Sequence, residues 1–451
     1  ARQVTVENTG SGVSICRTLD VENQVYTLTA NLSTTGDCLV IGADNVTIDM
    51  AGYNMTGDAN SANDYGIDND NGFNTTTVRN GSIYQFGAGV YSDGYDGNFT
   101  NLTITGAVSG GGPSCLGYGI YLSGDNNTIS NSNLSNLDAS GCFIDNNCYV
   151  IVLVSSSDNT ITNNIINSNG ASGQGIGISL NSNSDNNTIA NNIINSNTAA
   201  GIYFNTADNN NLIDNTANSN VNGIYFLGSS HNQITGGNYS LNSGSDVLLT
   251  STSTNNTFLN VSYDGGGNES VAAGSELIRK WYYQAYVNDS AGNDVIANVS
   301  ATNSSGSVEW SVNTNSSGWI ASKQEVTDYV NNGTAKYYYS TVISAVNSSY
   351  VSVNSTYNAT ADGNNVNDQI DMGIGPGLTG CGTLAVENTT YTLQNDIVGI
   401  TDDCFVIGAD NVTIDMAGYN ITGDANSAND YGIDISTGYN YTTVKNGDII
   451  G

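Results

Sequence analysis

The amino-acid sequence predicts an all-β chain whose main body is a parallel β-helix, and three observations carry that prediction. The phrase NTITNNIINSN (Asn159 to Asn169) returns about 28 residues later as NTIANNIINSN (Asn187 to Asn197). Each recurrence follows a short apolar stretch with strand-like alternation, as in GIGISL (Gly175 to Leu180). Helix formers are scarce, with only 8 Lys and Arg together, while Asn, Ser, Thr, Gly, Tyr, Ile and Val dominate and favour short strands and turns.

The repeat extends beyond the two phrases. NNTI at Asn126 to Ile129, DNTI at Asp158 to Ile161, NNTI at Asn186 to Ile189 and NNLI at Asn210 to Ile213 form a ladder, which HNQI at His231 to Ile234 and NNTF at Asn255 to Phe258 continue. The spacing is about 21 to 28 residues, once about 32. Such a coil holds three short strands and three turns, and Ile176, Ile178 and Leu180 are expected to face inward together. Asn is expected to hold successive corners, tolerating left-handed backbone and reaching by its amide to the Asn above and below. His231 stands where other rungs place Asn and reads as a corner residue.

Earlier segments fit the same scheme: NVTIDMAGYNMTG (Asn45 to Gly57), TTVRNGSIYQF (Thr76 to Phe86) and NFTNLTI (Asn98 to Ile104). Roughly nine coils between Cys38 and Tyr263 would stack into a rod of about 40 Å. Cys16 and Cys38 lie 22 residues apart, and Cys381 and Cys404 lie 23 apart in a duplicated segment, without C-x-x-C or zinc-type histidines. Paired spacing predicts disulfides and an oxidising compartment. Cys115, Cys142 and Cys148 leave an odd remainder in two inserted loops, where two of the three could pair.

The pattern Y-x-L…C-x-I-x-A-x-N-V-T-I-D…G-x-x-I-x-G, followed by GI-x-L…NN-x-I-x-NN, resembles the right-handed parallel β-helix repeats of NosD-like and archaeal cell-surface proteins, including those of S-layer type. The resemblance covers about residues 16 to 263 and 381 to 451. It implies a right-handed β-helix and an extracellular setting, and it does not imply an activity, because enzymes, adhesins and structural proteins share the repeat.

After DGGGNES (Asp264 to Ser270) the repeat stops. ELIRKWYYQAYVNDSAGNDVIANVSA (Glu276 to Ala301) alternates around a D-S-x-G turn, and SVEWSVNTNSSGWI (Ser307 to Ile320) continues it, which predicts a β-sandwich resembling the immunoglobulin-like spacers of microbial surface proteins. Residues 404–434 then repeat residues 38–68 with two substitutions. The domains expected are residues 1–265 as parallel β-helix, 266–375 as sandwich, and 376–451 as a second β-helix segment duplicating residues 16–85. A cut β-helix leaves backbone groups unpaired, so the second segment is expected to continue in a longer array or to meet another subunit head to tail.

The formal charge is −33, from 41 acidic residues against 8 basic ones, and would repel nucleic acid and anionic lipid. No apolar run is long enough to span a membrane, and a removed secretory leader is expected. A β-helical lyase or hydrolase would want carboxylates beside a Lys or Arg base or a His. Within the coils between Cys38 and Tyr263 and in the second segment the cations are Arg79 and Lys445, so the chain is expected not to be an enzyme. Copper, which the NosD name suggests, wants clustered Met, Cys or His, and Met50, Met55, Met372, Met416 and His231 offer none; no cofactor is expected. Calcium has oxygen ligands in the acidic loops at Asp64, Asp68 and Asp70, at Asp93 and Asp96, and at Asp362, Asp368 and Asp371, but no EF-hand or GGxGxD motif supports it.

The function expected is a structural subunit of an extracellular filament or surface layer, with copies of itself and N-linked glycans as partners. Roughly 26 N-x-S/T sequons occur against about 16 expected from composition. Those expected to carry glycans are Asn31, Asn54, Asn74, Asn80, Asn98, Asn238, Asn260, Asn268, Asn288, Asn298, Asn303, Asn315, Asn332, Asn347, Asn354, Asn358, Asn388, Asn420 and Asn440. The alternative is an adhesin or carbohydrate-binding rod in which Tyr118, Tyr121, Tyr203 and Tyr225 stack on sugars.

Overall fold

The structure, a computed structural model, describes residues 11–59, 63–106, 117–137, 147–169, 174–263, 268–289, 292–347, 350–373, 377–425 and 430–451. The chain divides into two compact units, Ala1–Arg279 with Val330–Tyr337, and Lys280–Tyr329 with Tyr338–Gly451. Among the described residues no helix is long and apolar enough to cross a membrane.

The first unit is a parallel β-helix. Its broad face is an eleven-stranded parallel sheet running from Arg17–Leu19 to Glu269–Val271. Leaving out those two end strands, nine lie between Cys38 and Tyr263. Ile120, Ile151, Ile178, Ile202, Ile224 and Val247 are register partners on successive strands of this sheet. A second face stacks Phe99, Ile129, Ile161, Ile189, Leu212, Ile234 and Phe258 in the same way. All of these side chains are fully buried, and each contributes about 1.5–3 kcal/mol by leaving water. A shorter third face, seen at Ile165–Asn167 and Ile193–Asn195, buries Ile166 and Ile194 and exposes Ile165 and Ile193.

The paired asparagines of the motif divide the labour. The first residue of each rung takes left-handed backbone: φ is +60° at Asn126, +58° at Asp158, +59° at Asn186, +57° at Asn209, +59° at His231 and +54° at Asn255. The second turns its amide into the column. Asn127 N–H donates to Asn159 Oδ1 at 2.8 Å, Asn159 N–H to Asn187 Oδ1 at 2.8 Å, Asn187 N–H to Asn210 Oδ1 at 2.8 Å, Asn210 N–H to Asn232 Oδ1 at 2.9 Å, and Asn232 N–H to Asn256 Oδ1 at 3.1 Å. A second ladder runs through Ser132, Asn164, Asn192 and Asn215, and a third through Asn169, Asn197, Asn220 and Asn242. Every member of the three is buried.

Two expectations need correction. The fourth rung is Asn209 to Leu212, one residue earlier than NNLI suggests, since Leu212 is the partner of Ile189. Ile176 does not face inward with Ile178 and Leu180; it is the register partner of Tyr149 and lines an outer cleft. The cause is a bend at Gly177, where an added Cβ would lie 2.6 Å from Gly201 O. The same bend recurs at Gly66, Gly89, Gly119, Gly201 and Gly223, each with a carbonyl of the next coil within 2.8 Å of the missing Cβ.

In the second unit, a four-stranded antiparallel sheet (Val308–Asn313, Asn298–Thr302, Thr341–Val346, Val353–Tyr357) shares one core with strands Leu277–Asp289 and Asn365–Met372, which pair in parallel. Tyr283, Ala285, Val287, Val299, Ala301, Ile343 and Ile370 fill that core. From Gly377 the chain forms three small parallel sheets of four, three and three strands. Their core holds Leu384, Tyr391, Leu393, Phe405, Ile407, Ile414 and Ile421.

Both β-helical segments carry the same fastenings. Cys16 pairs with Cys38, and Cys381 with Cys404. Arg79 meets Asp49 at 3.0 Å where Lys445 meets Asp415 at 3.2 Å. Asn45 Nδ2 donates to Asn23 as Asn411 Nδ2 donates to Asn388, both at 2.7 Å. Cys115, Cys142 and the side chain of Cys148 lie outside the described residues.

Asn187→Ala removes the acceptor of a buried N–H and is expected to destabilise by about 1–3 kcal/mol. Asn186→Gly, at the left-handed position beside it, should change stability by less than about 0.5 kcal/mol. Chemical denaturation of the two variants distinguishes the roles, and equal losses would contradict the division of labour.

Candidate functional site

The glycine bend creates the candidate site. Around each bend the chain turns one residue outward before it and one outward after the next inward residue, so YGID (Tyr65 to Asp68), AGVY (Ala88 to Tyr91), YGIY (Tyr118 to Tyr121), AGIY (Ala200 to Tyr203) and NGIY (Asn222 to Tyr225) present two outward rows. In register, one row reads Tyr65, Ala88, Tyr118, Tyr149, Ile176 and the other Asp68, Tyr91, Tyr121, Val152, Ser179, Tyr203, Tyr225, Leu248.

The tyrosines form two different arrangements. Tyr65 stacks on Tyr91 at 4.7 Å, and Tyr91 on Tyr121 at 4.4 Å with 3° between ring planes. Stacking along the column covers the ring faces, leaving edges and hydroxyls for solvent. Tyr203 and Tyr225 are instead tilted by 46° at 5.1 Å. With Tyr149, Ile176, Ala199, Ala200, Asn205 and Asn222 they line a cleft of about 230 Å³. Small Ala199 and Ala200 make its room. Burial raises the Tyr203 hydroxyl to about 12, helped by Tyr225 and Tyr149, so it stays a neutral hydrogen-bonding group at ordinary pH.

Asp68 stands in the second row between Val40 and Tyr91 and is 6% exposed. Burial pushes its carboxyl up to about 6; the Asp70 N–H bond opposes the rise, while the charges of Asp70, Asp37 and Asp93 add to it. The sequence placed Asp68 in a solvated acidic loop, whereas it is the last residue but one of strand Tyr65–Asn69. The flanks of the G-I/V pair were the signal that could have found it, along with Tyr65, Tyr91 and Tyr149.

Of the other predicted residues, Asp93 lies near enough to this face for its charge to act on Asp68, Tyr91 and Tyr121. Asp93 accepts from Ser123 Oγ at 2.5 Å, Asp368 from Tyr283 OH at 2.5 Å and Asp371 from Gln369 Nε2 at 3.1 Å, while Asp362 accepts from Asn358 N–H at 3.1 Å. Among the described residues no three His, Cys, Asp or Glu side chains gather to hold a metal ion. His231 is exposed at its corner with Nε2 3.1 Å from Asn255 Nδ2. Met50, Met55, Met372 and Met416 are buried in cores, so a copper site finds no donor set among these residues. Of the sequon asparagines, Asn31, Asn74, Asn98, Asn298, Asn315, Asn354, Asn358, Asn388 and Asn440 are exposed. Asn288 is the misfit: it is 6% exposed and its Oδ1 accepts from Gln369 Nε2, which leaves a glycan no room.

Residues 136–281 match the family model described as periplasmic copper-binding protein (NosD). A search of curated proteins finds no match. Among solved structures, the chain is similar to a mutant of the periplasmic alginate epimerase AlgG at 14% identity, covering 54% of this chain and 74% of that one with a TM-score of 0.36. It is similar to the A-module of the Azotobacter vinelandii mannuronan C-5 epimerase AlgE4 at 16% identity, covering 58% and 82%, with a TM-score of 0.39. It is also similar to the Dettilon tailspike protein at 13% identity, covering 75% and 71%, with a TM-score of 0.37. Likeness at this level speaks to the fold alone.

These neighbours correct the expectation that the chain is not an enzyme. Epimerases stand among the proteins that share its β-helix, so scarcity of Lys, Arg and His in the coils does not exclude catalysis. Asp68 also departs from that expectation, as a buried carboxyl titrating near neutrality amid tyrosine hydroxyls.

Because the folded value of Asp68 lies above the unfolded value of about 3.9, the stability it contributes is fully present below pH ~4 and is lost as pH rises through about 6. Asp68→Asn cannot ionise. It should melt with the wild type at pH 4 and exceed it at pH 8 by on the order of 1 kcal/mol, allowing for solvent at the sheet surface. Thermal unfolding across that range checks it; a variant weaker at pH 8 would contradict the assignment.

Proposed function

We propose that the chain is a secreted rod of a microbial cell surface that binds carbohydrate on the outer face of its eleven-stranded sheet. The observation that carries the reading is the cleft of Tyr149, Tyr203 and Tyr225 rimmed by Asn205 and Asn222. A pyranose presents an apolar C–H face and a rim of hydroxyls; tilted rings suit the first and side-chain amides the second. The stacked column of Tyr65, Tyr91 and Tyr121 adds hydroxyls farther along the same face. A net charge of −33 favours neutral over uronate glycans. Two disulfides suit an oxidising compartment, and exposed sequons suit N-linked glycans outside this face.

A second reading is a structural subunit of a filament or surface layer assembling with its own copies. It is favoured by the near-identity of residues 404–434 to 38–68, which packing alone does not demand. Electron microscopy of concentrated protein should then show fibres, and dispersed particles would count against it.

For the leading reading, Tyr203→Ala should lower affinity for a glycan selected on an array by ~10-fold, about 1.4 kcal/mol, without moving the melting temperature. Absence of binding to every neutral glycan tested would overturn it.

A further inference from the structure

In the first unit Glu269 is an enclosed acid with a lysine partner: its side chain is 1% exposed and that of Lys336 29% exposed. Lys336 Nζ lies 3.0 Å from Glu269 Oε1. Asn331 Nδ2 donates to that same oxygen at 2.7 Å, while Tyr263 OH donates to Oε2 at 2.7 Å. One carboxylate oxygen therefore holds an amine and a carboxamide side by side. The carboxamide oxygen is engaged as well, since Gly333 N–H donates to Asn331 Oδ1 at 3.0 Å. Gly333 is fixed in place at φ +80°, where an added Cβ would come 2.2 Å from Ala272 O. The Gly333 bond closes an Asx turn that fixes the Asn331 carboxamide, and its Nδ2 is thereby aimed at the oxygen that also holds Lys336.

The geometry points to an intramolecular amide between Lys336 Nζ and Asn331 Cγ, formed in the folded chain with Glu269 as proton carrier. Glu269, whose side chain is 1% exposed, takes a proton from the Lys336 ammonium, whose side chain is 29% exposed; burial of the carboxylate favours its protonated form. Nζ attacks Cγ, and the Gly333 N–H stabilises charge developing on Oδ1. A second proton passes from Nζ through the carboxyl to Nδ2. The Cγ–Nδ2 bond breaks and ammonia leaves, taking the remaining proton into solvent as ammonium, so Glu269 ends as a carboxylate. No oxidant or cofactor enters. Their shared acceptor on Glu269 holds the reacting groups together and supplies the effective concentration that such a step requires. The product would tie the end of strand Gln324–Asn331 to strand Lys336–Tyr338 across their turn.

The test is tryptic digestion and mass spectrometry of the denatured full chain, secreted into a bacterial periplasm so that Asn332 carries no glycan. An acylated Lys336 resists trypsin. The wild type should therefore give a peptide from Gln324 to Lys445, uncleaved after Lys336 and lighter than its sequence by one ammonia. Lys336→Arg should be cleaved at that position without the loss, and Glu269→Gln should stay linear at full mass. An unmodified wild-type peptide ending at Lys336 overturns the proposal. So does loss of ammonia with normal cleavage there, which is the signature of cyclisation at Asn332. An amide that forms in Glu269→Gln overturns the proton-carrier role.

Discussion

The structure depends on one recurring interaction: a buried asparagine carbonyl accepting the backbone N–H of the asparagine one coil below. A parallel stack gains nearly the same strand hydrogen bonds in several registers, so strand pairing alone does not choose among them. The ladders remove that freedom. Asn159, Asn187, Asn210 and Asn232 each place an acceptor within 2.9 Å or so of a neighbouring N–H, and a slip would leave several buried amides unpaired at once. Coils of unequal length, separated by 32, 28, 23, 22 and 24 residues between successive ladder asparagines, are thereby held in one alignment, with the surplus residues expelled into the connections.

The outer face follows from that alignment. Once the corners superpose, the glycine bends superpose, and the residue on either side of each bend falls into a row. Tyrosines one coil apart in the sequence become neighbours, their ring centroids 4.4 to 5.1 Å apart. The rows also gather Asp68 with Asp37, Asp70 and Asp93, and burial together with like charge explains why that carboxyl holds its proton to higher pH than an exposed one. Where the row passes through Val152 and Ser179 the rings are interrupted, and the tilt of Tyr203 against Tyr225 opens the cleft beyond the break.

Much of this was legible in the sequence. The rungs at Asn126, Asp158 and Asn186 gave the coil period, the isoleucines gave the core, and the two cysteine spacings gave the disulfides that form. The division of roles between adjacent asparagines was not, because both are compatible with a corner and only the direction of the amide separates them. Ile176 was misassigned because strict alternation presumes an unbent strand, and Gly177 bends it. Asp68 looked like a loop residue for want of the register that puts it beside Tyr91. Glu269 meets Asn331 and Lys336 across more than 60 residues and outside the repeat, where no period announces the contact.

The fastenings at the start of each β-helical segment answer a weakness of the ladder itself. Among the described residues before Gly94, no buried asparagine passes its carbonyl to the next coil's buried asparagine, and the three ladders begin only at Asn127, Ser132 and Asn169. The first coils rely on other means. Cys16–Cys38 closes 22 residues across the first two coils, Arg79 meets Asp49 between later ones, and the Asn23–Asn45 contact lies exposed at the corner. Residues 381–445 repeat the whole set, again without the buried amide ladder. A covalent loop of this length is worth about 3 kcal/mol, comparable to a few buried ladder bonds. The disulfide thus occurs where amide registration is missing, and its recurrence in the second segment follows from the same need.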